Sequence, residues 1–325
     1  MSGRPVVVIP GDFPPMVGRS RYLDDLRQIA DVIIYHDRPQ SIEEKRRRLE
    51  PADILLNSRG AVQFTSEVIS ELPKLKMIAV CGIGYDAIHL PSATAAGIVV
   101  SNIPGKTAVV VAEHALALML GTARRLPSMT NDVRSGHWSG NLGISLAGRQ
   151  VGIIGTGNIG CQMARICRGI GMNVFAWSFH KDDQKAAECG FRYVDLDELL
   201  QTSDAVSLHV RLTDQTRGMI GRRELNLMKP TAILVNTARG PVVDTQALVD
   251  TLRSGHLFGA ALDVYDSEPV PVDHPLLQCP NLVLTPHSAD QTQEGLDLLT
   301  LGCVENIKAF LSGHPINVVN PQVQR

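Results

Sequence analysis

The sequence predicts an α/β protein made of two doubly wound parallel-sheet domains. Three observations carry this. Short β-branched runs alternate with polar–apolar stretches of helical length, the alternation falls into two series, and 325 residues is about twice a typical domain. In the first series the strands are expected at Val6–Ile9, Val32–Tyr35, Ile54–Leu56, Ile78–Cys81 and Ile98–Val100, with helices such as Arg21–Ala30 and Ser41–Leu49 between them. A long helical pattern, Thr107–Leu126, follows Pro104-Gly105, and the turn formers of Arg134–Gly140 then predict irregular chain. The second series runs Val151–Ile154, Val174–Trp177, Ala205–Leu208, Ile233–Val235, Ala260–Leu262 and Leu282–Leu284. A last helical run, Gln291–Leu311, comes after the second sheet and is expected to pack back on the first domain. The expected division is therefore residues 1–101 with 288–325, and residues 102–287, with a substrate site in the cleft between lobes.

Composition removes several classes of function. Lys and Arg number 31 against 33 Asp and Glu, a net charge of −2, which argues against a nucleic-acid-binding module. A hydrophobic content of 44% with 20% charged residues is that of a globular chain and not a disordered one. The most apolar helical stretch, Ala108–Leu120, carries Glu113 and His114 and falls short of the ~20 apolar residues of a bilayer span. Val6–Ile9 before Pro10 is too short for the core of a secretion signal. Six cysteines (81, 161, 167, 189, 279 and 303) show no C-x-x-C pair, so the expectation is reduced thiols in a cytoplasmic protein, with no metal.

Gly155-Thr156-Gly157-Asn158-Ile159-Gly160 is a G-x-G-x-x-G string. With 28 glycines in the chain, three at this spacing arise by chance about 0.2 times, so its context matters more than the string. It follows the apolar strand Val151–Ile154 directly and opens an amphipathic stretch, Asn158–Ile170. In that setting the first glycine permits a tight turn, the second lets backbone approach a pyrophosphate, and the third lets helix and strand pack closely. The helix N-terminus offers N–H groups to the anion, whereas a plain structural turn needs none of this context. The motif therefore points to NAD or NADP. The next strand ends at Ser178, eighteen residues past Gly160, where a carboxylate usually accepts the adenosine ribose hydroxyls. Without it, repulsion of a 2′-phosphate is absent, and His180 and Lys181 are placed to attract one unless they merely begin the next helix in solvent. The balance leans to NADP, with Asp182 and Asp183 still able to turn inward.

Three later strands run into chemistry-bearing segments: Asn236-Thr237-Ala238-Arg239-Gly240, Asp263–Pro269 with Glu268, and Thr285-Pro286-His287. In a doubly wound sheet the carboxyl ends of strands share one edge, so Arg239, Glu268 and His287 can converge there. Reduction of a 2-keto acid needs a proton at the carbonyl oxygen, which an imidazole can deliver near neutral pH. Glu268 would accept the other ring N–H, fixing the tautomer and stabilising the protonated ring. Arg239 offers a planar fork to the substrate's carboxylate and carbonyl oxygen. Singly, each is more often a solvated or packing residue. At the ends of three separate strands, they are hard to assign to packing.

Together with Val80–Asp86 and the run Asn102–Leu120, these motifs make the chain resemble the D-isomer-specific 2-hydroxyacid dehydrogenase family over essentially its whole length. That family includes glyoxylate/hydroxypyruvate reductases and phosphoglycerate dehydrogenases. The resemblance implies one Rossmann dinucleotide-binding domain, one flavodoxin-like substrate domain and a homodimer formed around Trp138. It implies Arg239 as substrate-binding residue, Glu268 as partner of His287, and His287 as acid/base. It also implies coenzyme contacts from His209, Val210, Thr237 and Ala238, Asp263 facing the nicotinamide carboxamide, and substrate carboxylate held by the N–H groups of Ile83 and Gly84.

Two departures stand out. Arg211 occupies the place after His209-Val210 where relatives often have Pro, and Ser288-Ala289-Asp290 follows His287 where many have a glycine. Arg59, at the end of a first-lobe strand, is a candidate for a polar substrate tail, though a solvated loop arginine fits it better. With no basic cluster there for a phosphate, a small polar 2-keto acid such as glyoxylate or hydroxypyruvate is the expected substrate, and 3-phosphoglycerate dehydrogenase activity is the alternative. A non-catalytic dinucleotide-sensing corepressor scaffold is disfavoured by 4% aromatic content and by the absence of a charged tail. Formate- or phosphite-type oxidation is disfavoured because residues 82–86 hold no lysine.

Overall fold

A computed structural model describes residues 3–58, 60–138 and 140–324. Two compact units emerge, Met1–Thr107 with Gln291–Arg325, and Ala108–Asp290. The first contains β1 (Val6–Ile9), β2 (Asp31–Ile34), β3 (Ile54–Ser58), β4 (Met77–Cys81) and β5 (Val99–Ser101), all parallel in the order β2-β1-β3-β4-β5. Alternate residues feed two cores, because successive side chains of a strand point to opposite faces. Val7, Ile9, Leu56 and Ala79 pack on one side with Leu299, Cys303 and Ile307 of the helix Gln293–Leu311. Val8, Leu55, Ile78 and Val80 pack on the other. The helix Ile42–Leu49 begins where the Ser41 hydroxyl accepts the Glu44 N–H at 3.1 Å, a standard N-cap.

The second unit holds β6 (Gln150–Ile154), β7 (Asn173–Trp177), β8 (Arg192–Tyr193), β9 (Ala205–Leu208), β10 (Ile233–Asn236), β11 (Gly259–Leu262) and β12 (Leu282–Leu284). Their order is β12-β11-β10-β9-β6-β7-β8, every pair parallel. From β6 the chain winds outward through β7 and β8, then returns to β9 on the other side. The switch point therefore lies between β6 and β9, where open α/β sheets bind ligands outside the carboxyl ends of their strands. Ile153, Val235 and Ala261 pack in one core with Ala112, Ala115 and Met119 of the helix Ala108–Ala123. Ile154, Leu208 and Leu234 pack in the other.

The structure adjusts the expectations in three places. The helical pattern of Thr107–Leu126 is two helices, Ala108–Ala123 and Leu126–Arg134. Arg125 between them sits in the left-handed region at φ 52, and Pro127 in the following first turn cannot donate an N–H to a continuing helix. The two-residue β8 is too short to leave a pattern in the sequence. The units also part a few residues later than expected. Asn102 and Ile103 belong to the first, through N–H bonds to the Asn317 carbonyl at 3.2 Å and the Gly82 carbonyl at 2.9 Å. Ser288 and Ala289 belong to the second, through N–H bonds to the Asp263 carboxylate.

Leu234 is fully buried in β10, at the middle of the second sheet. Leu234→Ala should destabilise that unit by about 2–5 kcal/mol. A urea titration of the two proteins checks this, and coincident midpoints would contradict the packing described.

Candidate active site

The glycine turn after β6 is built for close approach. Gly155 is at φ 100, and a Cβ there would lie 2.7 Å from the His209 carbonyl carbon. A Cβ on Gly160 would collide with the Gly155 carbonyl oxygen, whereas one on Gly157 would meet no neighbour within 4 Å. The turn is thus packed from behind and open at its middle glycine, where the helix Asn158–Gly169 begins. Beside it, at the ends of β9 and β10, two buried polar atoms lack a hydrogen-bond partner: His209 Nδ1 and Thr237 Oγ1. Burial drives the His209 pKa down to about 3, so this imidazole is neutral at physiological pH, and its Nε2 lies 2.9 Å from Ser207 Oγ. An open glycine cradle at a helix N-terminus with two unpartnered polar atoms alongside fits a dinucleotide.

Neighbouring strands β10, β11 and β12 deliver the other residues. Asn236, fully buried at the end of β10, accepts the Ala238 N–H at 3.0 Å and donates to the Arg239 carbonyl at 2.9 Å. This shapes the turn that presents Arg239. Gly240 then lets that turn press on the next loop, since a Cβ there would collide with the Tyr265 carbonyl. His287 Nδ1 lies 2.7 Å from Glu268 Oε2, and Glu268 Oε1 accepts the Tyr265 N–H at 3.0 Å. Burial pushes the Glu268 carboxyl up, but its bond to His287, the His287 charge, the Tyr265 N–H and the Arg239 charge together hold it below the usual range. An ionised carboxylate can only accept, so the shared proton sits on His287 Nδ1.

Asp263 lies beneath this pair with its side chain 1% exposed. Its Oδ1 accepts from Thr285 Oγ1 at 2.6 Å and the Ser288 N–H at 2.8 Å, and Oδ2 accepts the Ala289 N–H at 3.0 Å. Burial raises its pKa, and hydrogen bonds from His114, Thr285, Ser288 and Ala289 outweigh that and lower it. The Asp263 carbonyl takes the His287 N–H at 2.8 Å, which holds His287 in the left-handed region at φ 51. Tyr265 Oη donates to the Thr285 carbonyl at 2.9 Å and lies 3.1 Å from the Leu262 carbonyl. Burial, with the Asp263 and Glu268 charges, pushes the phenol up to about 12.

Arg239, Glu268 and His287 lie in the loops that follow β10, β11 and β12 at one edge of the sheet. In the resemblance, Asp263 faces the coenzyme; in the structure its carboxylate is turned to the loop after β12. Ile83 and Gly84 follow β4 in the first unit, where the Ile83 carbonyl accepts from Asn102 Nδ2 at 2.7 Å. Ser178 follows β7, and Val210 and Ala238 follow β9 and β10. Arg59 lies outside the described residues. Sequence reasoning passed over Tyr265, Thr285 and His114 as site residues. His114 did leave a signal, a polar residue within an otherwise apolar helix.

The chain matches the family described as D-isomer specific 2-hydroxyacid dehydrogenase, NAD binding domain, over residues 116–289. It is 42% identical over 265 residues to a glyoxylate reductase of Korarchaeum cryptofilum, covering 79% of this chain and 80% of that one. It is 40% identical over 265 residues to a D-3-phosphoglycerate dehydrogenase of Archaeoglobus fulgidus, covering 81% of this chain and 50% of that one. A crystal structure of a glyoxylate reductase from Paecilomyes thermophila superposes with a TM-score of 0.87 at 32% identity, covering 99% and 100% of the two chains. An open parallel sheet with a dinucleotide cradle, and an Arg, a Glu–His pair and a buried Asp along its carboxyl edge, defines a nicotinamide-dependent oxidoreductase. The chain belongs to the D-isomer-specific 2-hydroxyacid dehydrogenase family.

The lowered carboxyl pKa of Asp263 has a consequence for stability. A carboxyl whose folded pKa lies below its unfolded value of ~3.9 stabilises the fold above that value and loses this contribution as pH falls through the folded pKa. Asp263→Asn should therefore lower the melting temperature at pH 7 and flatten the acid loss below about pH 4. Melting curves across that range check it. An unchanged melting temperature at pH 7 would count against the buried-carboxylate account.

Proposed function

We propose that this chain reduces a small polar 2-keto acid, glyoxylate or hydroxypyruvate, to the corresponding 2-hydroxy acid, the D-isomer where the product is chiral, with NADPH preferred to NADH. The observation that carries the reading is the Glu268–His287 pair at 2.7 Å, which joins the loops after β11 and β12 beside the β10 loop that presents Arg239. Family membership and the names of the glyoxylate reductase relatives support the substrate class.

When bound, the coenzyme supplies the hydride in reduction and accepts it in the reverse direction. The chain's own residues do the rest. The Arg239 guanidinium binds the substrate's carboxylate and carbonyl oxygen and holds the keto carbon in place. His287 delivers a proton from Nε2 to the carbonyl oxygen, and takes it back in oxidation. Glu268 holds the Nδ1 proton, so the ring keeps one tautomer and one orientation. In the first unit the proposed contribution is the Ile83 and Gly84 N–H groups, toward the substrate carboxylate. Residues 155–160 would cradle the coenzyme's pyrophosphate, and His209 and Val210 after β9 with Thr237 and Ala238 after β10 would make further contacts to it. Asp263, implied to face the carboxamide, acts through the loop it holds.

The preference for NADPH rests on the end of β7. Ser178 stands there in place of a carboxylate, followed by exposed His180 and Lys181. Asp182, which might have turned toward the ribose, instead caps the helix Asp183–Cys189, accepting the Lys185 N–H at 3.0 Å. Lys181 lies 4.0 Å from Asp195, an exposed pair that a phosphate can displace. We place the protein in the cytoplasm on its free cysteines, and assign a homodimer to the region around Trp138. There Trp138 is 94% and Leu142 90% exposed, with Leu126 and Val133 also exposed. Light scattering tests the dimer.

The D-3-phosphoglycerate dehydrogenase relative supports a second reading, oxidation of a phosphorylated hydroxy acid. Steady-state oxidation of NADPH and NADH with glyoxylate, hydroxypyruvate and 3-phosphohydroxypyruvate separates the two. Higher kcat/KM for the phosphorylated acid, or for NADH, overturns the corresponding preference. His287→Ala should lower kcat by roughly 10²–10⁴-fold. Arg239→Ala should mainly weaken keto-acid binding, and an unchanged kcat/KM would remove Arg239 from the reaction.

A further inference from the structure

We propose that His114 is a positioning residue for the proton transfer, fixing the loop that carries His287 through Thr285 and Asp263; this rests on the reaction proposed above. His114 lies midway along the helix Ala108–Ala123, whose other residues, apart from Glu113, carry no ionisable side chain. Its Nε2 is 3.0 Å from Thr285 Oγ1 and 3.5 Å from Asp263 Oδ1.

The direction of each hydrogen bond follows from the chemistry of the groups. Asp263 is ionised and can only accept, so the Thr285 hydroxyl proton points to Oδ1 at 2.6 Å. Thr285 Oγ1 is then an acceptor toward His114, whose Nε2 must carry a proton. The sequence of donors runs from His114 Nε2–H to Thr285 O–H to the Asp263 carboxylate. That same carboxylate holds the Ser288 and Ala289 N–H groups, one and two residues beyond His287. His287 itself is in the left-handed region at φ 51, a conformation that persists in a non-glycine residue when its surroundings over-determine it. The over-determining contacts are the His287 N–H on the Asp263 carbonyl, the two amides on the carboxylate, and Thr285 pinned between His114 and Asp263. Removing the His114 proton donor leaves Thr285 Oγ1 held from the Asp263 side alone and takes away an N–H that lies 3.5 Å from the Asp263 charge. The loop then loosens at the residue that must meet the carbonyl oxygen.

The test uses His114→Leu, close to the imidazole in size and without a donor, and His114→Gln, whose amide can donate to Thr285 from nearly the same place. His114→Leu should lower kcat by about 10²-fold, the scale of a small misplacement of a reacting group. The dissociation constant for NADPH, read by its fluorescence, should stay within about twofold, because the residues of the glycine turn are untouched. His114→Gln should restore kcat to within about threefold of wild type. In the coenzyme-free protein, amide hydrogen exchange across residues 285–290 should be faster in His114→Leu and normal in His114→Gln. A His114→Leu kcat within about twofold of wild type overturns the proposal, as does a Gln variant as impaired as Leu, or unaltered exchange. If His114→Leu does not fold, Thr285→Val and Thr285→Ser stand in the same relation, one losing the hydroxyl and the other keeping it. Wild-type protein that reduces no 2-keto acid would defeat the proposed function instead, and the exchange comparison would still decide the role of His114.

Discussion

Asp263 carries its negative charge at 1% exposure, and the donors gathered around it sustain that placement: the Thr285 hydroxyl, the Ser288 and Ala289 amides, and His114. A buried carboxylate without such donors would protonate or unfold its surroundings. With them, it ties the segment that follows β12 to the end of β11. The geometry of His287 is a consequence: its backbone N–H reaches the Asp263 carbonyl, its φ is forced positive, and its ring comes to the Glu268 carboxylate. Glu268 is positioned from the same loop, by the Tyr265 amide, while the Tyr265 hydroxyl reaches back to the Thr285 carbonyl. Two loops are thereby stitched to each other at several points.

The sheet explains why these loops meet. In a parallel sheet every strand delivers its carboxyl end to the same edge, so β10, β11 and β12 place three consecutive loops side by side without any long-range device. The switch point between β6 and β9 lies along the same edge, and there the glycine turn and the neutral His209 leave room and polar atoms for a dinucleotide. Arg239 comes from the strand between these two regions. Its turn is shaped from below by Asn236 and pressed against the Tyr265 backbone at Gly240. The glycine turn and the Glu268–His287 pair therefore lie along one edge of the sheet, with the ends of β9 and β10 between them.

Much of this was legible in the residues. The fully buried runs of Val7, Val8 and Ile9, or of Ile153 and Ile154, whose alternate residues enter opposite cores, follow from β-branched sequence, and the glycine string announced its turn because a strand precedes it and a helix follows. Arg239, Glu268 and His287 could be chosen because each closes a strand-like run at the carboxyl side. What stayed hidden depends on contacts between distant segments. The orientation of Asp263 is set by amides in residues 288 and 289, and no local pattern near 263 encodes that. His114 reads as an odd polar residue in an apolar helix until Thr285 is seen opposite it. Arg125 breaks the long helix through a left-handed conformation that its own side chain does not advertise, although Pro127 gives the break a cause.

The proposed reaction requires Arg239 and His287 to meet the two ends of one keto acid beside a bound coenzyme. A crystal structure with NADPH and oxamate, an unreactive keto-acid mimic, would show whether they do. Oxamate should have a carboxylate oxygen on the Arg239 guanidinium and its amide carbonyl oxygen within hydrogen-bond reach of His287 Nε2. Oxamate bound away from both residues, with NADPH seated on the 155–160 turn, would contradict it.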